Sequence, residues 1–400
     1  MYEPELSDFF EVESCDYCGE CLAACPEFGR RLEDPARAVR ALAGGVELDE
    51  VLRRCSSCMS CSAACPRDCN PYGLILYSWF RRGHRERYPV RASLVMPLEP
   101  ENAWWKVMGS LPDDEAPLLA RWIDLERDEL AGRALFAGCN LQILPYMADT
   151  PLFEGLPIFG RQDLCCGEVY YRMGALERVR QVADRLTGIY AEFPAREVVA
   201  YCQACYNVLS NILPRYFGAR FPFEVSYFGD LLADMVLSGA LDVKGKLSGL
   251  KVTVQDPCHA KLLGAGFREK PRRILEHMGC EVVEMRHTGE MSLCCGLGHG
   301  AARFNPLDMA AGTIRRLREA RATRADRLVV YCNSCDLLFS VGTQVTPFVI
   351  PVWHLNELVC EAMGVRTPRR NLARARAMVG ELFVKGAPKL VSRKRFYPCD

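Results

Sequence analysis

No stretch of the 400 residues is apolar for the ~18–20 positions a helix needs to cross a bilayer; the best run, "LILYSWF" at 74–80, is far shorter. No excess of one charge exists either. Fifty Lys and Arg face fifty Asp and Glu, so electrostatics makes no case for nucleic acid or an acidic substrate. The opening "MYEPELSDFFEVES" is acidic and lacks the apolar core of a secretory signal. These absences predict a cytoplasmic chain with no direct membrane span, any membrane association running through a partner subunit.

Cysteine is in excess, with 22 residues. Without a secretory signal, metal or redox chemistry explains them better than a disulfide framework. "CDYCGECLAACP" at 15–26 and "CSSCMSCSAACP" at 55–66 both fit C-x2-C-x2-C-x3-C-P. In this ferredoxin run three thiolates hold one [4Fe–4S] cluster and the fourth crosses to the other. The reading assigns Cys15, Cys18, Cys21 and Cys65 to one cubane cluster. Cys55, Cys58, Cys61 and Cys25 take the second. Zinc is the rival, but zinc favours two paired C-x2-C knuckles over three close cysteines and a crossing fourth. Between the motifs, Asp34-Pro35 reads as a helix start and Gly44-Gly45 as its end. No hairpin pattern is present, which predicts an α-helical ferredoxin region over 1–85.

Residues 86–132 hold no cysteine but several prolines and Trp104, Trp105 and Trp122. An irregular linker is expected, with the tryptophans packing it onto the body.

From 133 the chain repeats itself. "RALFAGC", "CCG" at 165–167 and "YCQAC" at 201–205 are answered by "KVTVQDPC", "CCG" at 294–296 and "YCNSC" at 331–335. Each copy alternates apolar strands that end at a cysteine with helices of 3.6 periodicity, such as Leu176, Val179, Val182, Leu186 and Ile189. "FPFEVSYF" and "TPFVIPVW" read as the closing strands. The pattern predicts two α/β domains with short parallel sheets, at 133–245 and 246–365, followed by a basic tail at 366–400. The fold class expected is α plus α/β. Five cysteines per copy exceed the four of a cubane, so an unusual cluster or a spare thiol is implied. A vicinal disulfide, a zinc site and a thioredoxin-like C-x2-C are the alternatives.

The doubled C-x(n)-CCG-x(n)-C-x2-C resembles the cysteine-rich CCG family. With a helical ferredoxin module ahead of it, the chain resembles the catalytic subunit of heterodisulfide reductase, over about 10–80 and 133–360. The resemblance implies a non-cubane [4Fe–4S] cluster in each copy. Its ligands would be Cys139, Cys165, Cys166, Cys202 and Cys205 in the first copy, and Cys258, Cys294, Cys295, Cys332 and Cys335 in the second. It further implies reductive cleavage of a small-molecule or protein disulfide between the two. The other function weighed is electron transfer alone, as in the iron–sulfur subunit of a glycolate- or lactate-type dehydrogenase or a quinone-linked respiratory complex.

His259 and His299, close to Cys258 and Cys295, are candidate proton donors. "GLGHG" at 296–300 is too short for a dinucleotide fingerprint. The electron donor is therefore expected to be another subunit, of flavoprotein, hydrogenase-linked or membrane cytochrome b type. Cys69, Cys280 and Cys360 are expected to be buried or incidental, and Cys399 ends a tail that is either solvated or docks a partner.

Overall fold

The first 85 residues form short helices laid around their cysteines. The computed structural model describes residues 2–303 and 305–399. Asp34 caps helix α1 (Pro35–Ala43) by accepting a hydrogen bond from the Arg37 amide at 2.8 Å. The longer α2 (Tyr72–Glu86) buries Tyr72, Leu74, Ile75, Leu76 and Trp79 against the remaining helices and the first half of the body. No regular strand of this region pairs within it among the described residues.

Each repeat then builds a parallel four-stranded sheet. In the first copy β1 (Gly132–Phe136), β2 (Ile158–Phe159), β3 (Ala195–Ala200) and β4 (Glu224–Tyr227) lie in the order β2-β1-β3-β4. In the second, β5 (Lys251–Gln255), β6 (Glu281–Val282), β7 (Arg327–Val330) and β8 (Val352–His354) lie in the order β6-β5-β7-β8. The same arrangement thus occurs twice, as expected of repeated strand–helix units. Helix α3 (Leu176–Tyr190) follows the first CCG and buries Val179, Val182 and Leu186. Helix α4 (Pro306–Ala322) stands at the matching place in the second copy.

"TPFVIPVW" supplies less strand than expected. β8 starts only at Val352, because Pro347 and Pro351 have no N–H to give a ladder.

The connector departs further from expectation. It contains helices Ala103–Met108 and Ala116–Trp122, the first capped by Asn102, whose side chain accepts from the Trp105 amide at 3.0 Å. Trp104 and Trp122 are buried, whereas Trp105 is 52% exposed.

The basic tail is not a solvated extension along its length, and Arg370 and Arg374 are taken up by the body. Helix α5 (Asn371–Val379) folds back onto the body. Arg370 pairs with Asp114 and Glu115, and Arg374 with Glu115 at 2.7 Å. Phe396 pairs with Tyr88 in a two-residue antiparallel ladder. The physical cause is charge: Glu115 is buried, and a buried carboxylate needs such partners.

The two sheets share one apolar core. Leu135, Val199, Val252, Val254 and Val329 pack into a single group. Ring contacts tie the copies together, with Tyr227 and Phe267 centroids 4.8 Å apart.

Candidate functional site

The cysteine motifs of the ferredoxin region fold as two similar loops. Tyr17 and Ser57, each two residues after a leading cysteine, have φ of 59° and 53°. Left-handed backbone at these points bends each loop so that its sulfurs converge. The amides of Tyr17 and Ser57 donate to Cys15 Sγ at 3.4 Å and Cys55 Sγ at 3.3 Å. The fourth cysteine of each motif lies beside thiols of the other motif. Burial raises the Cys21 thiol to about 12, with Cys65, Cys18 and Cys15 as its charged neighbours. Burial likewise raises Cys55, whose neighbours are Cys58 and Cys25.

Cys18 is exposed, whereas Cys55, Cys58 and Cys61 are buried. Cys69 lies against the first set: its amide donates to Cys65 Sγ at 3.4 Å.

In each repeat the five cysteines gather just beyond the carboxyl ends of the sheet, where parallel α/β sheets place their chemistry. Cys139 follows β1, and Cys202 and Cys205 follow β3; Cys258 follows β5, and Cys332 and Cys335 follow β7. Both glycines of the CCG triplets have positive φ, +84° at Gly167 and +110° at Gly296. The chain can then turn directly into a helix after two adjacent thiols.

Within each set the sulfurs are near enough to share hydrogen bonds. The pairs are Cys139 with Cys165, Cys165 with Cys166, Cys166 with Cys205, and Cys205 with Cys202. In the second copy they are Cys258 with Cys294, Cys294 with Cys295, Cys295 with Cys335, and Cys335 with Cys332. Donation from Cys294 and then Cys335 pulls Cys295 down to about 6. Donation from Cys139 and then Cys166 holds Cys165 well below the usual thiol range.

This donor set suits an iron–sulfur cluster: all sulfur, almost wholly buried, with the Gly296 amide donating to Cys294 Sγ at 3.3 Å. Among the described residues, no three His, Cys, Asp or Glu donors converge as a single metal ion requires.

The two sets face one another. A single cavity is lined by Cys139, Cys165, Cys166, Cys202 and Cys205 from one copy and Cys258, Cys295, Cys332 and Cys335 from the other. The copies contact reciprocally around it. Asn140, after the leading cysteine of the first, donates to Ser334 in the closing C-x2-C of the second at 2.8 Å. His259, after the leading cysteine of the second, lies 3.0 Å from Asn207, two residues past the closing C-x2-C of the first.

His259 Nε2 lies 2.9 Å from Glu168, which also binds Arg172. Burial disfavours the Glu168 anion, but Arg172 and the His259 hydrogen bond more than offset this and hold the carboxyl at about 2. Burial lowers the His259 imidazole below its ordinary value despite Glu168. With ionised Glu168 accepting from Nε2–H, the ring is neutral and Nδ1 accepts from Asn207, a tautomer assigned from the hydrogen-bond network. His299 is not among the cavity residues; it lies near Glu27, beside the ferredoxin motif.

The ferredoxin region docks at this junction. Arg172 donates to the Ser57 carbonyl at 2.5 Å, and Cys58 packs with Cys294, Cys295, Cys332 and Cys335. Glu168, Arg172, Asn207 and the cavity-lining Trp104 were not visible as site residues in sequence. The one local signal was Glu168 placed directly after a CCG with Arg172 one helical turn on.

Comparison with known proteins agrees with these parts. A 4Fe-4S dicluster domain matches residues 14–70, and a cysteine-rich CCG domain matches 150–210 and 252–340. A dihydromethanophenazine:CoB–CoM heterodisulfide reductase subunit from Methanosarcina mazei is 26% identical, over 89% of this chain and 95% of that protein. A fumarate reductase (CoM/CoB) subunit from Methanothermobacter marburgensis is 25% identical, over 83% of this chain and 68% of its own length. EtfAB:quinone oxidoreductase of Syntrophomonas wolfei is 27% identical over 43% of this chain and 23% of that one. The chain is an iron–sulfur protein that joins a 4Fe-4S dicluster domain to two cysteine-rich CCG segments, and it is related along most of its length to a heterodisulfide reductase subunit.

Proposed function

We propose that this chain is the catalytic iron–sulfur subunit of a disulfide reductase. Electrons from a partner subunit would pass through two cubane clusters to two non-cubane clusters that cleave a disulfide. The observation carrying this reading is the one cavity lined by nine of the ten CCG cysteines. A protein that only conducts has no need for two facing sulfur-rich sites open to one small volume.

When bound, the two non-cubane clusters would supply one electron each and an iron site for each sulfur; cleavage consumes two electrons and two protons and yields two thiols. The chain's own residues shape the space. Trp104, Val169 and Leu297 give it apolar walls, and the Asn140–Ser334 hydrogen bond ties the leading loop of the first copy to the closing C-x2-C of the second. Of the two histidines, His259 lines the cavity and His299 does not; with Nε2–H held by Glu168 and Nδ1 by Asn207, His259 would tie the two copies together there and has no proton free to give. The substrate would be a disulfide small enough to enter between the copies. The donor is proposed to be a flavoprotein, a hydrogenase-linked protein or a cytochrome b-type subunit. No helix among the described residues is long and apolar enough to cross a membrane.

Iron and sulfide analysis with EPR on anaerobically purified protein tests the reading. Four clusters correspond to roughly sixteen irons per chain. A new EPR signal from an oxidised, thiol-bound state is expected on adding substrate. A count near eight would leave the repeats without clusters and overturn the proposal.

A further inference from the structure

Lys261 is a buried ammonium at the contact between the ferredoxin region and the second CCG copy. It stands three residues after Cys258 and is 3% exposed. Its Nζ donates to Ser60 Oγ at 2.8 Å and to the Ser292 carbonyl at 2.6 Å. Ser60 belongs to the second ferredoxin loop, and its hydroxyl lies 3.4 Å from Cys58 Sγ. Ser292 precedes the second CCG triplet. One side chain therefore pins the loop of Cys58 to the loop of Cys294.

Among the described residues no carboxylate pairs with this ammonium. The acids nearby in sequence are engaged elsewhere: Glu290 with Arg268 and Asp256 with Arg272. A buried cation served only by neutral oxygens is costly unless an anion stands near. The anions on offer are sulfurs, Cys58 on one side and Cys258 on the other. Thiolates gathered on a cluster leave it with net negative charge, and that charge is one of the levers on its potential.

The first copy is built differently. Three residues after Cys139 stands neutral Gln142, which donates back to the Gly138 carbonyl at 2.8 Å. Two other buried cations of the junction, Arg172 and Arg268, already have Glu168 and Glu290 as counterions. The uncompensated charge thus belongs to the copy against which Cys58 packs.

We infer that Lys261 is a positioning residue that holds the Cys58 and Cys294 loops together and supplies the counter-charge of the two clusters they carry, so that electrons enter the CCG pair through the second copy. The inference rests on the proposed cluster-bearing reading. With the clusters bound, each transfer would take one electron from the cubane to the second-copy cluster, and the partner subunit would restore it to the cubane. A fixed positive charge beside both clusters stabilises their reduced forms.

The test is an EPR-monitored redox titration of the full-length, anaerobically purified chain, as wild type, K261Q and K261R. K261Q retains a hydrogen-bond donor and loses the charge. The potentials of the second-copy cluster and of the Cys25/Cys55/Cys58/Cys61 cubane are expected to shift negative. The Cys15/Cys18/Cys21/Cys65 cubane and the iron content should not move, and K261R should restore the wild-type potentials. Unmoved potentials in K261Q overturn the inference and leave Lys261 a structural pin. Should K261Q lose iron, S60A serves instead, because it keeps the ammonium and removes one tie. Slower reduction of the second-copy cluster then supports the inference, and an unchanged rate overturns it. A wild-type chain with about eight irons marks failure of the cluster-bearing reading, before any variant is made.

Discussion

His259 of the second copy and Glu168 of the first share a 2.9 Å hydrogen bond across the cavity that both cysteine sets line. The residue after one leading cysteine is thereby locked to the residue after the other copy's CCG triplet. Arg172 completes the group and reaches the Ser57 carbonyl of the ferredoxin region. Three parts of the chain meet in one buried charge cluster.

Glu168→Gln should destabilise the chain strongly. It leaves the Arg172 guanidinium, 7% exposed, without its counterion. Removing one partner of a buried pair costs about 3 kcal/mol. A lowered thermal midpoint under anaerobic conditions checks this, and an unchanged midpoint would show that water reaches Arg172.

Cys294→Ser should abolish disulfide reduction while leaving both ferredoxin-type EPR signals intact. Cys280→Ser and Cys360→Ser should leave the iron content at the wild-type value, since both residues lie in apolar core away from the cysteine sets. Iron lost from either variant would mean that the ligand sets have been drawn wrongly.

Controlled exposure to air should destroy the clusters in order. Cys18 is exposed, whereas the CCG cysteines other than Cys139 and Cys258 are buried. The Cys15/Cys18/Cys21/Cys65 signal is expected to disappear first in a time course followed by EPR. Simultaneous loss of all signals would argue against burial as the protecting factor.

Gly296→Ala should be worse tolerated than Gly167→Ala. Both sites have positive φ, which costs a side-chain-bearing residue about 1 kcal/mol. A Cβ at 296 would also fall 2.4 Å from the Met309 carbonyl oxygen, whereas one at 167 would meet Val182 Cγ1 at 3.2 Å. Only the latter neighbour is a side chain that can yield. Soluble yield and iron content of the two variants compare them directly.

Glu115→Ala should loosen the tail. It removes the shared partner of Arg370 and Arg374 and leaves Arg374, 6% exposed, unpaired. A loss of roughly 3 kcal/mol and faster proteolysis beyond residue 365 are expected. Equal cleavage rates in variant and parent would show that the β-bridge at Tyr88 and Phe396 holds the tail by itself.

Cysteine spacing, strand periodicity and the internal repeat were readable along the chain because each depends on neighbours a few residues apart. Three thiols within seven residues converge through local backbone turns, and apolar strands ending at a cysteine need only their own alternation and length. Facing of the two sets, the Glu168–His259 tie, the role of Lys261 and the return of Arg370 and Arg374 to Asp114 and Glu115 depend on partners 91 to 259 residues distant. No local pattern encodes such pairs. They arise when two sheets bury a common core, and the charges left inside that core take whatever counter-charge the packing brings within reach.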